Sequence, residues 1–431
     1  MAKNNIQLQD EDYKKFINEK INEFNTNGKK TIAHFCDTYY PIVDGVIKVM
    51  ENYAKRQSKK YNIVMVVPKH KNKEIVPHPD YLVIGISGMY FKFVNYDLAF
   101  PEMDSYLKNT LKKLRIDLIH CHSPFNVGSY AAKLAKRRKI PFVMTMHSQY
   151  KVDFLKYTKN EGLANMLTKN ITKVFNKATE VWTMHEKVAD ALRSYGYKGT
   201  FSYMPNATDY LIPENPTELK HIIDEKYNLN PEDNVFLFVG RLVNQKNIQF
   251  IVDSLNILNK KGINFKMFFV GEGPDKDELK KHIEDCNLTD KVILTGLIKS
   301  REELSAYYQR ANLFLFPSTY DTSSLVQIEA ATFKTPGVFI ENTATAQTIT
   351  DRHNGYLSKE TIEDYSNTIL EAISDKTKLN EVTENAHKEL YVSWDTVALK
   401  TMDRYEYLIK QNTNRLKKLE AVQNAMKQNK K

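Results

Sequence analysis

The chain has 431 residues and a hydrophobic fraction of 42%, enough for two domains with ordinary buried cores. No apolar run approaches the roughly 18 to 20 residues that cross a bilayer, and the polar, mixed-charge N-terminus is unlike a cleaved signal peptide. The net charge of +10 is concentrated in residues 1–210, where 33 Lys and Arg stand against 20 Asp and Glu, a net of +13 that leaves −3 for the remainder.

The basic excess predicts an anionic partner for residues 1–210, either an acidic membrane surface or an anionic acceptor. The alternative is a solvated surface without a partner. We predict no nucleic-acid partner, because no recognisable binding module accompanies the charge. Cys36, Cys121 and Cys286 are scattered and lack metal-ligand spacing. They predict reduced thiols and a cytoplasmic location.

The predicted elements of residues 31–210 alternate between strands and helices. Residues 1–30 are a polar extension with one short amphipathic helix. From residue 31 to 210, helical patterns separate most of the short apolar runs, and we predict strands at 31–36, 62–67, 80–86, 118–121, 142–146 and 180–184. This alternation is typical of a parallel sheet covered by helices on both faces.

A second alternating series follows a turn-rich hinge. It gives a domain over 211–392, a closing helix over 393–411 and a polar, frayed tail over 412–431. Its predicted strands are 235–239, 266–270, 292–295, 313–316 and 337–340. The predicted fold class is therefore α/β, with two Rossmann-like, doubly wound parallel-sheet domains facing a cleft. Ligands of such sheets bind beyond the carboxyl ends of the strands.

The most informative stretch is a strand, a turn and a helix flanked by acids. Asp321 precedes the helix and Glu329 lies about two turns inside it. The free backbone N–H groups of Ser324, Leu325 and Val326 would face a phosphate. The two carboxylates would accept hydrogen bonds from sugar hydroxyls. This pattern predicts a nucleotide-sugar site.

Two glycine-containing loops follow earlier strands of the same domain. Gly240 permits a tight turn, and Arg241 with Lys246 could clamp a diphosphate, the alternative being a solvated basic pair. Gly271 and Glu272 end the next strand, where a glycine lets a nucleotide base approach the backbone, the alternative being an ordinary turn.

The first domain offers two further candidates. Gly45 lies near a helix N-terminus, where donor phosphates could approach. His147 ends a strand and would face the cleft, the alternative being a structural histidine. Two D-x-D triplets occur at 10–12 and 275–277, but one lies in the polar extension and the other in the opening turn of a helix. We predict no metal site.

These segments, in this order, resemble the retaining glycosyltransferases of family four over about residues 31–408. The matching features are D-T-Y-x-P-x-x-D-G-V, H-S-P-F, the strand-end His147, P-N-A-T-D, V-G-R-L-x-x-Q-K-N, V-G-E-G-P and the acid-x7-acid helix. The resemblance implies the GT-B fold and transfer of a hexose from a nucleotide-diphosphate sugar, expected to be a UDP-sugar. It also implies retention of configuration, with no metal and no cofactor.

The resemblance assigns roles to the candidate residues. Arg241 and Lys246 would bind the departing diphosphate, as would the backbone at 324–326, while Gly240, Gly271 and Glu272 line the donor site. Glu329 would bind the ribose and Asp321 the hydroxyls of the transferred sugar. His147 would lie near the sugar and the acceptor, and Gly45 would let the donor phosphates pass close to the first domain.

Three positions depart from the family pattern. Asp321 stands where Glu is usual, residues 322–324 replace a small–aromatic–Gly run, and Ala207 stands where Gly is common. Since Asp is one methylene shorter than Glu, the sugar is left unassigned.

Aromatic residues beside basic ones predict an acceptor site in the first domain. The candidates are Tyr90, Phe91, Phe93 and Tyr150, which resemble the branch that glycosylates diacylglycerol at the cytoplasmic membrane face. Ordinary core packing is the alternative. The expectation is a cytoplasmic enzyme, peripheral at the inner face of the membrane, that serves glycolipid or surface-polysaccharide synthesis.

Two other functions fit parts of the pattern. One is another GT-B enzyme, such as a nucleotide-sugar epimerase or a phosphorylase. The other is a non-catalytic partner that binds glycans or stabilises a true enzyme. The presence of Arg241, Lys246 and Glu329 together favours an active transferase.

Overall fold

The chain forms two compact units. The structure, a computed structural model, describes residues 10–40, 45–70, 75, 77–91, 96–210, 216–321 and 324–428. Residues 206–393 form one unit, and the segments before and after them form the other.

The first unit is built on a parallel sheet. Its strands are β1 (Thr31–Phe35), β2 (Asn62–Pro68), β3 (Leu82–Ile86), β4 (Gly88–Phe91), β5 (Tyr96–Ala99), β6 (Leu118–Cys121), β7 (Phe142–Thr145), β8 (Glu180–Thr183) and β9 (Phe201–Tyr203). The parallel order is β3-β2-β1-β6-β7-β8-β9, whereas β4 and β5 form a separate antiparallel hairpin. All six strands predicted for this region are present.

Seven helices precede residue 206 in the part of the chain that the structure describes. They are α1 (Asp10–Thr26), α2 (Gly45–Gln57), α3 (Ser105–Lys113), α4 (Asn126–Arg138), α5 (Tyr150–Thr158), α6 (Glu161–Phe175) and α7 (Glu186–Ser194) within the described residues. Helix α1 belongs to the folded unit, because Ile17, Ile21 and Phe24 are buried in its core and the Tyr13 hydroxyl donates to the Val83 carbonyl. Within the N-terminal extension, residues 10–26 therefore form a packed helix.

The sheet of the first unit is buried on both faces. Along β1, Ala33 and Phe35 pack into one hydrophobic cluster, whereas Ile32 and Cys36 pack into another. Because side chains alternate along a strand, these two clusters lie on opposite faces. The double burial explains the nearly continuous apolar strands in the sequence.

The second unit repeats the plan with the same strand order, once the separate β4–β5 hairpin of the first unit is left out of the count. Its strands are β10 (Asn234–Val239), β11 (Phe265–Val270), β12 (Val292–Gly296), β13 (Leu313–Phe316), β14 (Gly337–Ile340) and β15 (Tyr356–Ser358). Its helices are α8 (Pro216–Tyr227), α9 (Ile248–Lys260), α10 (Lys276–Asp285), α11 (Arg301–Arg310), α12 (Leu325–Thr332), α13 (Ile362–Ser374) and α14 (Lys376–Leu390), with 3-10 turns at Asn244–Lys246 and Thr345–Thr348. The parallel order β12-β11-β10-β13-β14-β15 confirms the predicted α/β class with two doubly wound domains.

A single long helix, α15 (Trp394–Gln428), returns to the first unit. Its first half buries Trp394, Tyr405 and Leu408, whereas residues 412–428 are largely exposed. The prediction that the helix ends near residue 411 was wrong, because residues 412–428 include the helix formers Leu416, Lys417, Lys418, Leu419 and Ala421 and no Gly or Pro that would stop the helix. Among the described helices, none combines the length and hydrophobicity that crossing a bilayer requires.

Candidate active site

Two backbone loops meet at the carboxyl ends of β10 and β11. Gly240 has φ +157° and Gly271 has φ +146°, a region that favours glycine. A Cβ on Gly271 would lie 1.9 Å from the Gly240 carbonyl oxygen, and one on Gly273 would lie 2.0 Å from the Leu242 carbonyl oxygen. The two glycines of V-G-E-G-P are therefore needed for close packing between the two loops, whereas Gly240 is favoured by its positive φ alone.

Lys246 and Asp321 lie in direct contact. The Lys246 Nζ is 2.7 and 2.9 Å from the two carboxylate oxygens of Asp321. Ser318 donates its hydroxyl to the same carboxylate at 2.6 Å, and the Nζ also lies 5.1 Å from the centre of the Phe316 ring. Strand β13 supplies Phe316, and the 3-10 turn before α9 supplies Lys246. At the carboxyl end of β13, Lys246, which is predicted to bind a phosphate, therefore lies beside Asp321, which is predicted to bind the sugar.

The Lys246–Asp321 contact has a chemical consequence. Both side chains are largely buried, with 16% and 20% of their surface exposed, so the lysine charge is balanced by the carboxylate. A diphosphate that binds here must share Lys246 with Asp321. The shorter Asp, at the position where Glu is usual, is fixed by Lys246 and Ser318.

Helix α12 begins directly after this cluster. Ser324 is its N-cap residue, with extended backbone angles and no hydrogen bond from its side chain to the helix. The first-turn N–H groups, those of Leu325 and Val326 included, precede any intrahelical acceptor, and no acid lies in that turn. This end of the helix can therefore receive an anion. Residues 322 and 323, part of the departure from the family pattern, lie outside the described part of the chain.

Glu329 lies on α12 and is held by a tyrosine. The Tyr308 hydroxyl donates to the Glu329 carboxylate at 2.8 Å. Burial raises the pKa of Glu329, and the Tyr308 hydrogen bond partly offsets that rise. One carboxylate oxygen is thus fixed, which orients the other for a ligand. Sequence reasoning missed Tyr308 and Ser318, because a tyrosine within a helix and a serine within a turn give no signal of their own.

Arg241 and Glu272 extend from the two glycine loops. Arg241 is exposed, and its guanidinium has no hydrogen-bond or ion-pair partner among the described residues. Glu272 is also exposed and pairs with Lys276 at 2.8 Å. An exposed Arg241 beside the rigid glycine loops is available to an anionic ligand.

The two candidate residues of the first unit, Gly45 and His147, belong to different elements. Gly45 is the exposed first residue of α2, with nothing within 4 Å of a Cβ built on it. His147 follows β7 and contacts His122, with Nε2 3.1 Å from Nδ1 of His122. Burial lowers the pKa of His147 to about 3, so the ring is neutral near pH 7. The roles predicted for Gly45 and His147 stay predictions.

The structure gives little support to the residues that were predicted to bind the acceptor. Tyr150 is buried in the core, 5.8 Å from the Phe125 ring and 6.2 Å from the Phe175 ring. This position favours the core-packing alternative. Tyr90 and Phe91 lie in β4, but their side chains fall outside the described part of the structure, as does the whole of Phe93.

A cluster of buried histidines was not predicted. Sequence reasoning noted His120 and His122 at a strand end but assigned them no role, and it did not single out His34. In the structure one ring nitrogen from each lies within 4.8 Å of the others, a spacing that could admit a metal ion. However, all six ring nitrogens have a hydrogen-bond partner, so a metal would have to displace those bonds.

Known proteins resemble this chain along most of its length. The profile of "Glycosyltransferase Family 4" matches residues 43–210, and that of "Glycosyl transferases group 1" matches residues 220–389. The alpha-monoglucosyldiacylglycerol synthase of Streptococcus pneumoniae is 26% identical over 82% of this chain and 80% of its own length. The synthase of the same name from Acholeplasma laidlawii is 24% identical over 71% and 79%.

Solved structures share the fold. Sucrose-phosphate synthase from Thermosynechococcus elongatus has a TM-score of 0.72 and 19% identity, over 89% of this chain and all of its own. The Anabaena protein HepE, in complex with UDP-glucose, has a TM-score of 0.68 and 15% identity, over 87% and 99%. At these identities the likeness supports the two-domain fold alone.

Proposed function

The chain belongs to the glycosyltransferases of family four, and from that membership we propose that it moves a hexose from a UDP-sugar to a hydroxyl of a membrane lipid, with retention of configuration. The observation that carries the proposal is the cluster of Lys246, Asp321 and Ser318 beside the open end of α12. This cluster places a side chain that could bind a phosphate next to one that could bind a sugar, at the end of one strand.

The donor site is proposed in the second unit. Lys246, Arg241 and the first turn of α12 would bind the diphosphate, and Glu329 would accept a hydrogen bond from the ribose. Asp321 would accept from hydroxyls of the transferred sugar. A UDP-sugar is proposed because HepE, which shares the fold, is found with UDP-glucose.

The proposed reaction breaks the bond between the anomeric carbon and the β-phosphate oxygen. The acceptor oxygen bonds to the same carbon from the same side, and its proton passes to the departing phosphate. Negative charge grows on that phosphate, so Lys246, Arg241 and the helix N–H groups stabilise the transition state more than the ground state. In this proposal they perform the electrostatic task that a metal ion performs elsewhere.

A lipid acceptor is proposed from the relatives and from the charge. Two relatives are named as synthases of alpha-monoglucosyldiacylglycerol. The first unit also contains a cavity of about 660 Å³ between α4 and the C-terminal part of α15. Its lining combines four lysines and one arginine with apolar side chains and a single acid, Glu420, and the basic members are Lys133, Lys136, Lys139, Lys177 and Arg415. This surface suits the head groups of an anionic bilayer, and it supports the proposal that the enzyme acts at the inner face of the membrane.

Transfer to lipid tests the proposal. Purified protein with radiolabelled UDP-glucose and vesicles that contain diacylglycerol is expected to form a labelled glycolipid with an alpha linkage, visible by NMR. The rate should be higher on anionic than on zwitterionic vesicles, since each Lys or Arg near the surface contributes about 1 kcal/mol of binding. A beta-linked product would contradict retention, and no lipid product with any UDP-hexose would contradict the acceptor class.

A charge-matched pair of variants tests the membrane surface. The double change Lys136→Glu with Lys177→Glu reverses two exposed charges at the cavity. We expect at least about tenfold weaker sedimentation with anionic vesicles. The control, Lys280→Glu with Lys281→Glu, makes the same change in net charge on the exposed face of α10. Equal losses in both variants would contradict a specific surface.

A further inference from the structure

Three side chains that commonly bind metal ions lie together between helices α9 and α10 of the second unit. Asp253 belongs to α9, His282 belongs to α10, and Cys286 caps the C-terminal end of α10. One carboxylate oxygen, one ring nitrogen and the thiol sulfur all lie within 4.8 Å of one another. The whole cluster lies inside one compact unit and includes none of the residues proposed to bind the donor.

The strand order of the second unit brings the two helices side by side. Helix α9 connects β10 to β11, helix α10 connects β11 to β12, and these three strands are neighbours in the parallel sheet. Because such crossovers are right-handed, both helices pack on the same face of the sheet. Gln249 donates to Glu278 at 2.9 Å, and one turn further along each helix Asp253 lies 2.7 Å from His282. The two helices therefore run alongside each other in matching steps of four residues.

Cys286 lies on the same side of α10 as His282. It follows His282 by four residues, and residues four apart are neighbours on the surface of a helix. The backbone N–H of Cys286 donates to the His282 carbonyl at 3.1 Å, so the helical spacing holds as far as the cysteine. Sequence reasoning looked for metal-ligand spacing among the cysteines themselves, and therefore did not pair Cys286 with His282.

The chemistry of the three ligand atoms is typical of zinc. Zn²⁺ binds a Cys sulfur at about 2.3 Å and a His nitrogen or carboxylate oxygen at about 2.0 to 2.2 Å, in a tetrahedron whose corners lie about 3.3 to 3.6 Å apart. The cluster reaches that spacing with side-chain shifts of about 1 Å. Mg²⁺ and Ca²⁺ prefer oxygen ligands alone, so a set with sulfur and nitrogen does not suit them.

The existing hydrogen bond does not obstruct a metal ion. Within the described part of the chain, the ring of His282 makes one hydrogen bond, between Nε2 and a carboxylate oxygen of Asp253, and both partners belong to the cluster. An ion that binds both replaces the proton between them. In the buried cluster of His34, His120 and His122, by contrast, an ion would displace hydrogen bonds to residues outside the cluster.

We propose that Asp253, His282 and Cys286 bind one Zn²⁺ ion that links α9 to α10. The fourth position faces solvent and takes a water molecule, because 28% of the His282 side chain and 35% of the Asp253 side chain are exposed. Since the three ligands come together only in the folded unit, the bound ion stabilises that unit by mass action.

The zinc site lies away from the proposed donor site. Gly240 and Gly271 follow the carboxyl ends of β10 and β11, and helices α9 and α10 lead from there back along the sheet. Cys286 lies ten residues beyond Lys276, where α10 begins, which corresponds to a rise of about 15 Å. The ion therefore takes no part in the transfer step, and the proposal is independent of the proposed function.

Calorimetric titration with ZnCl₂ of the chain, treated with EDTA and then dialysed, tests the site. We expect one Zn²⁺ ion per chain and no binding of Mg²⁺. Cys286→Ser, His282→Gln and Asp253→Asn each replace one ligand by a side chain of similar shape. Each is expected to weaken zinc binding at least about a hundredfold, because loss of an outer hydrogen-bond partner of a ligand already costs about 10- to 100-fold.

A neighbouring carboxylate provides the matched control. Asp285→Asn makes the same chemical change as Asp253→Asn, at an exposed position next to Cys286. We expect it to weaken zinc binding by less than about fivefold, which is the effect of an exposed charge. An equal loss of affinity in the two aspartate variants would mean that the ion responds only to the local charge, and would overturn the three-ligand site.

Alkylation of the thiol gives a second readout, at the sulfur itself. Cys286 is partly exposed, whereas Cys36 and Cys121 are buried, so iodoacetamide should label Cys286 first, as mass spectrometry of its peptide shows. At a zinc concentration of ten times the Kd, about one chain in ten is free of zinc, and we expect labelling to slow about tenfold. Labelling that zinc leaves unchanged, zinc binding that survives Cys286→Ser, or no zinc binding by the wild type would each overturn the proposal.

Discussion

Replacement of Lys246 by alanine is expected to lower kcat by about a hundredfold to a thousandfold. Lys246 would stabilise the charge that grows on the departing phosphate, and loss of one such group typically costs about 3 to 4 kcal/mol of transition-state stabilisation. The measurement is initial-rate kinetics on the donor that the wild type accepts. A loss within about twofold would contradict the phosphate-clamp role, because a missing transition-state contact costs far more.

Two further variants separate this effect from a general one. Lys260→Ala removes an exposed lysine at the end of α9, the helix that begins after Lys246, and should leave kcat unchanged. Asp321→Asn removes the carboxylate that pairs with Lys246 and leaves the lysine free for phosphate. We expect this variant to bind UDP more tightly while its kcat falls, because the sugar loses its anchor. Weaker UDP binding would mean that Asp321 orients Lys246 and does not compete for it.

Acidification is expected to unfold the first unit. His34, His120, His122 and His147 all have pKa values lowered by burial, to about 4 for His34 and about 3 for His147. The folded unit keeps these rings neutral, whereas the unfolded chain binds protons below about pH 6.5. Stability that is present above pH 6.5 is therefore lost as pH falls, by about 1.4 kcal/mol per pH unit for each ring.

Asp37 acts in the opposite direction. Burial raises its pKa to about 6, so its carboxyl takes up a proton more readily in the folded state and recovers some stability as pH falls from 6 towards 4. The gain in stability from the single Asp37 carboxyl is smaller than the loss from the four histidine rings. We expect a net loss of about 4 to 5 kcal/mol in the free energy of unfolding between pH 7.5 and pH 5.5.

Urea denaturation followed by tryptophan fluorescence measures this loss in the first unit alone. The chain has two tryptophans, Trp182 and Trp394, and both lie in that unit. His122→Phe should reduce the pH-dependent loss by about a quarter, whereas His221→Gln, at an exposed position in α8, should leave it unchanged. Stability that stays constant down to pH 5.5 would contradict the buried neutral histidines.

The sequence predicted features that depend on order along one strand or helix. Strand ends followed by Gly240 and Gly271 gave the loops that meet at the sheet edge, and the eight-residue spacing gave Asp321 and Glu329 around the start of α12. These signals are local. The loops that follow parallel strands all lie at the same edge of the sheet, whichever strands are neighbours in it.

Features that depend on contacts between distant segments were not predicted. The pairing of Lys246 with Asp321 and the support of Glu329 by Tyr308 arise from strand order, which the sequence alone leaves open. Hydrogen bonds that join Thr401, Gln57, His34, His122 and His147 likewise connect α15, α2 and the ends of three strands.

The central claim is a metal-independent transferase with one preferred nucleotide sugar, and a donor panel tests it most directly. Purified protein is incubated with UDP-, GDP- and ADP-hexoses, with and without EDTA, and with lipid acceptor, while nucleotide release is recorded. We expect release from a UDP-hexose at a rate that EDTA leaves unchanged. Nucleotide release that EDTA abolishes, or no nucleotide release from any donor of the panel, would contradict the claim of a metal-independent transferase.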